Sequence, residues 1–160
     1  MMTHKLQQEI NLLEKICFDI NYEDVDSKVI HNTLINTVTG TFMSLGYRFV
    51  TNKQIKFEKI NPRTYEFLGK FDSESMDLLL FKNKIQIAVE VDRGSVLKLK
   101  SILKLVHSDS QLKIGVLFPK GKGCINDVET KNRILNVKKM KNLTTPILII
   151  NVYDKISYYV

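Results

Sequence analysis

Two short apolar runs, residues 78–81 and 85–91, constrain the fold of this chain more than any other feature of its sequence. Only a few residues separate them, with Asn83-Lys84 at the centre of the break. Two apolar runs joined by a two-residue polar turn are typical of an antiparallel β-hairpin. The pairing of Lys82 with Ile85 across the turn then sets the register of the whole hairpin, because residue numbers in each pair keep the same sum.

Three carboxylates are predicted to lie together at the open end of this hairpin. The register places Asp77 directly opposite Glu90, and strand alternation puts Asp92 on the same face as Glu90. Like charges that face each other on a sheet are destabilising by up to about 1 kcal/mol per pair. A divalent cation such as Mg²⁺, which prefers hard oxygen ligands, would compensate this repulsion.

The same three acids have a simpler interpretation, in which the hairpin end is exposed and the carboxylates are merely solvated. We favour the metal site, because the acids end apolar runs that are typical of buried strands. Next to a phosphodiester, bound metal ions orient a water molecule, lower its pKa and stabilise the leaving oxygen. Asp77, Glu90 and Asp92 are therefore predicted as metal ligands and catalytic residues.

The rest of the chain alternates between helical and strand patterns. Helices are predicted over residues 6–20, 27–45, 95–106 and 126–140, with Asp26 or Ser27 capping the second and Ser95 capping the third. Strands are predicted over residues 47–50, 54–60, 65–68, 76–82, 85–92, 113–118 and 146–152. This order predicts an α/β fold with a three-layer core, in which helices flank a mixed β-sheet. We expect a single domain, with a helical segment at 1–26, a core at 27–118 and a C-terminal extension at 119–160.

The composition of the chain limits the kinds of partner and the cellular compartment that we expect. The 160 residues contain 24 Lys and Arg against 17 Asp and Glu, a net charge of +7. This excess favours a polyanion such as nucleic acid, although a basic surface that aids solubility explains it equally well. Two distant cysteines, no signal-peptide pattern and no apolar run of about 20 residues indicate a cytoplasmic protein without a membrane span.

Several lysines are candidate contacts to phosphate. Lys98, Lys100 and Lys104 recur along one predicted helix, and Lys120 and Lys122 lie in a glycine-containing loop. The alternatives are a solvated helix face and a plain turn. The three histidines form no metal-binding motif and are interpreted as surface or helix residues.

The order Asp77, hairpin, Glu90-x-Asp92, helix and apolar strand resembles the core of the PD-(D/E)xK nucleases. Within that superfamily, the acid in place of the usual lysine is similar to type II restriction endonucleases of the BamHI and BglII kind. The resemblance covers about residues 27–118. It implies a restriction-endonuclease-like fold, and a homodimer that hydrolyses double-stranded DNA with Mg²⁺.

The chain departs from the common motif at three places. Met76 stands where the motif has proline, Asp92 stands where it has lysine, and residues 28–45 contain no acid. Asp92 would then act as a metal ligand or general base, or Lys98 or Lys100 would supply the missing cation. Two other functions stay open: a non-catalytic nucleic-acid-binding or assembly module with the nuclease fold, and a structure-specific nuclease of repair or recombination.

Overall fold

A computed structural model describes residues 4–21, 23, 25–56, 73–120 and 123–160. Within them, the helices are α1 (His4–Phe18), α2 (Ser27–Ser44), α3 (Leu99–His107) and α4 (Asp127–Lys141). The strands are β1 (Arg48–Lys56), β2 (Ser73–Lys82), β3 (Ile85–Arg93), β4 (Leu112–Phe118), β5 (Ile147–Asn151) and β6 (Ile156–Tyr159). None of the described helices is both long enough and apolar enough to cross a membrane.

The six strands form one sheet in the order of the sequence, from β1 to β6. Neighbours β3, β4 and β5 are parallel, and the remaining neighbours are antiparallel. One buried cluster joins α1 and α2 to the first face of the sheet, and a second joins α3 and α4 to the other face. The predicted α/β fold, with a mixed sheet between helical layers, is confirmed.

The apolar stripes of the first two helices bury against the first face of the sheet. The buried stripe residues are Leu6, Ile10, Leu13 and Cys17 on α1, and Ile30, Leu34, Val38 and Phe42 on α2. Full burial of each large apolar side chain contributes about 1.5–3 kcal/mol. Asp26 caps α2, since its Oδ1 accepts a hydrogen bond from the Lys28 N–H at 2.8 Å.

A buried polar cluster fastens α1 to the sheet. The Tyr47 hydroxyl donates to Glu9 Oε2 at 2.8 Å, and Lys82 Nζ lies 3.1 Å from Glu9 Oε1. Lys82 also donates to the Leu45 carbonyl and lies over the Tyr47 ring. Because a buried carboxylate without partners is costly, these contacts make the position of α1 specific.

The hairpin has the predicted turn and register. Lys82 pairs with Ile85 across the turn, where Asn83 has the positive φ of 55° that such turns require. The backbone pairing of β2 with β3 ends at Leu78 and Val89. Asp77 and Glu90 therefore lie just beyond the last backbone pair, where the two strands separate.

The predicted start of α3 is wrong. The helix begins at Leu99, not next to Ser95, and the residues between them are irregular. Tertiary bonds hold this segment, since the Leu97 N–H donates to Thr130 Oγ1 and the Lys98 N–H donates to Asp92 Oδ2. These distant acceptors replace the local cap that a serine would supply.

The strand predictions differ from the structure at both edges of the sheet. β1 is one strand across two predicted pieces, with a positive φ of 56° at Asn52. The predicted strand at 65–68 and the end of the piece at 54–60 lie outside the described residues. β6 was not predicted, because its half-exposed side chains show no clear alternation. Together β5 and β6 extend the sheet beyond the predicted core at 27–118.

Gly115 in β4 tests how closely Leu97, in the segment before α3, packs on the sheet. A Cβ atom at this position would lie 3.0 Å from Ile149 Cδ1 and 3.2 Å from Leu97 Cδ2. We expect Gly115→Val to lower the free energy of unfolding by about 1–3 kcal/mol, measured by urea denaturation. Gly40→Ala is the control, because this exposed site on α2 has nothing within 4 Å, and it should gain about 0.5–1 kcal/mol. Unchanged stability of Gly115→Val would contradict this packing.

Candidate functional site

Hydrogen bonds of the Asp77 and Glu90 carboxylates join β2 to β3 where the backbone pairing of these strands ends. The Asp77 N–H donates to Glu90 Oε1 at 2.9 Å, and the Val91 N–H donates to Asp77 Oδ2 at 2.9 Å. Each carboxylate thus satisfies a backbone donor of the opposite strand. The structure brings these two predicted site residues together at the end of the hairpin.

Asp92 lies two residues beyond Glu90, and its carboxylate contacts the start of α3. Its Oδ2 accepts a hydrogen bond from the Lys98 N–H at 2.8 Å, and its Oδ1 lies 3.2 Å from Lys98 Nζ. The Asp92 side chain is only 5% exposed. Asp92 therefore has a structural role at the N-terminus of α3, where negative charge is favourable.

Lys104 is the cation paired with Glu90. Its Nζ lies 2.5 Å from Glu90 Oε2 and donates to the Ser75 carbonyl at 2.9 Å. The Lys104 side chain is 10% exposed, so its ammonium lies inside the site and not on an outer helix face. The sequence contains a signal for this pair, because a lysine within the apolar run 102–106 needs a partner when the run is buried.

Of the four other lysines predicted to contact phosphate, two lie at the site, one does not line it and one lies outside the described residues. Lys98 and Lys100 lie at the rim of the site with side chains 60% and 42% exposed, and Lys100 pairs with Glu74 at 2.7 Å. Lys120 is exposed beyond the end of β4 and does not line the site cavity. Lys122 lies outside the described residues.

His31 on α2 is a site residue that the sequence interpretation missed. Its Nε2 lies 3.5 Å from Asp77 Oδ2, so Asp77 contacts the helical layer on the opposite side of the sheet from Lys104. Nearby, Arg93 donates to the Ser27 hydroxyl and joins the end of β3 to α2. The signal in the sequence was the position of His31 beside Ile30, on the flank of a buried stripe.

These residues line a cavity of about 320 Å³ at the end of the sheet. Its carboxylates are Glu74, Asp77, Glu90 and Asp92. Its basic side chains are Lys28, Arg93, Lys98, Lys100 and Lys104, with His31 beside them. The lining therefore combines two buried and two half-buried acids with a slight excess of basic side chains.

The two central carboxylates have opposite pKa shifts. Burial raises the pKa of Glu90 to about 7, the Asp77 charge adds to the increase, and the Lys104 ammonium only partly offsets it. Burial also acts to raise the pKa of Asp77, but hydrogen bonds from His31 and the Val91 N–H outweigh it and leave that pKa lowered. The hydrogen bond to Asp77 raises the pKa of His31. Paired groups with pKa values pushed apart are typical of acid–base sites.

The donor atoms of this site fit Mg²⁺ in type. Asp77, Glu90 and Asp92 offer the hard carboxylate oxygens that Mg²⁺ prefers. Among the described residues, however, no three His, Cys, Asp or Glu side chains form a preassembled metal site. Lysines pair with two of the three acids, since Lys104 contacts Glu90 and Lys98 contacts Asp92. A metal ion could bind these oxygens only if the Lys98 and Lys104 ammonium groups moved away from them.

Comparison with known proteins identifies no relative of this chain, so the interpretation of the site depends on its geometry. No family model matches the chain, and no curated protein or solved structure is significantly similar to it. The resemblance to the PD-(D/E)xK nucleases therefore stays a prediction based on the motif residues.

The neighbours of Glu90 should move its pKa in opposite directions. Asp77→Asn removes a like charge and should lower the Glu90 pKa below about 7, whereas Lys104→Met removes the paired cation and should raise it. The measurement is a ¹³C NMR titration of the Glu90 carboxyl in the metal-free protein. Lys100→Met is the control, because Lys100 pairs with Glu74, and it should change this pKa little. The same Glu90 pKa in all four proteins would contradict the described contacts.

Glu90 should also make the stability of the protein depend on pH. Its folded pKa of about 7 exceeds the ordinary value of 4.5, so its stabilising contribution is complete below pH 4.5 and is lost as the pH rises through about 7. Glu90→Gln removes this titration and should reduce the decline in unfolding free energy over that interval. Urea denaturation from pH 4.5 to 8 measures it, and an unchanged slope would show that Glu90 titrates normally.

Proposed function

We propose that this protein is a Mg²⁺-dependent endonuclease that hydrolyses phosphodiester bonds in double-stranded DNA, most simply as a homodimeric type II restriction endonuclease. One observation carries the proposal: Asp77 and Glu90 converge where β2 and β3 separate, inside a cavity with lysines at its rim. This is the arrangement that the resemblance to the PD-(D/E)xK nucleases implies for its two acids.

Asp77 and Glu90 would hold the metal ion. When bound, Mg²⁺ would supply a polarised water and neutralise charge on the phosphate. Asp77 is prepared for this role, because its lowered pKa keeps it ionised. Glu90 has a pKa of about 7, so it must lose its proton and release Lys104 before it can contribute both oxygens.

Lys104 is the best candidate for the cation that the usual motif lysine would provide. It is the lysine that pairs with Glu90, whereas Lys98 pairs with Asp92 and Lys100 with Glu74. Freed from Glu90, its ammonium would lie beside the reacting phosphate and stabilise developing negative charge. This role replaces the phosphate contact on an outer helix face that the sequence alone suggested for Lys104.

Lys98 and Lys100 at the rim would contact the phosphate backbone beside the reacting group. The Lys98 side chain is mostly exposed and the Lys100 side chain is partly exposed, and both line the cavity. Contacts of this kind position nucleic acid without reading its sequence. Asp92 would support the same end of α3 from inside, through its bonds to Lys98.

A non-catalytic nucleic-acid-binding module is the second candidate, and a specific observation favours it. Each acid already has a cationic or imidazole partner, and Asp92 also accepts a backbone hydrogen bond at the start of α3. Such pairs stabilise a fold without any metal ion. In this alternative, the carboxylates join β2, β3 and α3, and the lysines that remain exposed bind phosphate.

Cleavage of long duplex DNA with Mg²⁺, read on a gel, tests the proposal. Asp77→Asn and Glu90→Gln should reduce the cleavage rate by at least about 100-fold. Mutation of residues that only hydrogen-bond to metal ligands already lowers metal affinity or activity by about 10–100-fold. Asp92→Asn should also lose activity, since the neutral amide can still accept the Lys98 N–H but no longer pairs with the Lys98 ammonium at the rim of the site. Asp19→Asn, at an exposed position directly after α1, is the matched control and should cleave normally.

The pattern of products separates the remaining possibilities. Discrete fragments support a restriction endonuclease, whereas cleavage only at junctions or flaps supports a structure-specific nuclease. Full activity in Asp77→Asn or Glu90→Gln would place the chemistry elsewhere. If the wild type cuts no nucleic acid with Mg²⁺ or Mn²⁺ but still binds duplex DNA, the non-catalytic module is the better description.

A further inference from the structure

A two-stranded extension of the sheet begins at the candidate site. The pairing of β2 with β3 ends at Leu78, but β2 continues to pair with β1 through residues 73–76. Their partners are residues 53–56 of β1. We call these two segments the β1–β2 ribbon. Asp77 lies at its base, so the ribbon leaves the sheet directly beside the proposed metal ligands.

The ribbon is fixed to the same helix that lines the site. Lys104, which pairs with Glu90, also donates to the Ser75 carbonyl at 2.9 Å. Lys100 pairs with Glu74 at 2.7 Å, and Ile55 packs on the core cluster beneath α3. These contacts hold the base of the ribbon in a defined position relative to the carboxylates.

The outer strand of the ribbon is positively charged. Lys53 and Lys56 are both exposed, and no ion pair among the residues that the structure describes involves either of them. The described acid of the ribbon, Glu74, is already neutralised by Lys100. Strand alternation places Lys53 and Lys56 on opposite faces, so the ribbon presents positive charge on both sides.

We infer that the β1–β2 ribbon is a docking element for duplex DNA, in which Lys53 and Lys56 contact backbone phosphates beside the group that enters the site. This inference rests on the proposed function for its partner. Charge complementarity carries it, because two exposed lysines that pair with no described carboxylate add to the positive charge of Lys98 and Lys100 at the rim of the site. The major groove of DNA is about 12 Å wide and admits a two-stranded ribbon.

The test is the salt dependence of DNA binding without divalent ions. A fluorescein-labelled duplex is titrated with the protein in EDTA, at several NaCl concentrations, and the anisotropy gives Kd. Each phosphate contact steepens the plot of log affinity against log salt by about 0.9. Lys53→Ala/Lys56→Ala should therefore reduce the slope by about 1.8 and weaken binding to all duplex sequences to a similar degree.

Two further variants separate a specific surface from net charge. Lys5→Ala/Lys15→Ala removes the same charge from exposed positions on α1, which do not line the site, and should leave the slope nearly unchanged. Lys53→Arg/Lys56→Arg keeps the charge and should bind with the wild-type slope. Circular dichroism checks that each variant is folded, and Lys53→Gln/Lys56→Gln, which also removes both charges, replaces the alanine variant if that variant does not fold.

The outcomes distinguish this inference from the proposed function. An equal loss of slope in the ribbon and α1 alanine variants, or no loss in the ribbon variant, overturns the docking role. If wild-type protein cuts DNA while the ribbon variant binds normally, the nuclease proposal stands and the docking inference fails. If no cleavage is found but binding depends on Lys53 and Lys56, the docking inference stands and the nuclease proposal fails.

Discussion

The exchange of hydrogen bonds between Asp77 and Glu90 is the constraint on which the site depends. Beyond the last backbone pair of β2 and β3, Leu78 with Val89, the N–H groups of Asp77 and Val91 bond to side chains of the opposite strand and not to its backbone. A buried donor left without a partner costs about 1–3 kcal/mol. The two carboxylates accept these N–H groups at 2.9 Å each, so the acids satisfy the backbone donors where the pairing of the strands ends. The same two hydrogen bonds therefore define both the positions of the acids and the end of the strand pairing.

Charge compensation links this feature to both helical layers. His31 on α2 approaches Asp77 from one side of the sheet, while Lys104 and Lys98 on the α3 side pair with Glu90 and Asp92. The cations that stabilise the folded chain thus occupy the carboxylate oxygens that a metal ion would need. Under the proposed function, stability without metal and activity with metal would compete for the same atoms, a trade-off that is common at functional sites.

Local patterns predicted most of the fold because they act over few residues. The turn at Asn83-Lys84 defined the hairpin register, and three- and four-residue spacing defined the buried faces of α1 and α2. Prediction failed where distant groups replaced local signals. The start of α3 depends on Asp92 and Thr130, and β6 is a short edge strand whose main partner is β5.

The sequence by itself determined that Asp77, Glu90 and Asp92 lie near one end of a hairpin, because strand periodicity and a two-residue turn leave little freedom. Only the tertiary structure decided which groups neutralise them. Lys104 lies 14 residues beyond Glu90, and His31 lies 46 residues before Asp77. No periodic pattern links residues that far apart, since their approach depends on how α2 and α3 pack on opposite faces of the sheet. That packing sets the pKa values of both acids and decides what a metal ion must displace.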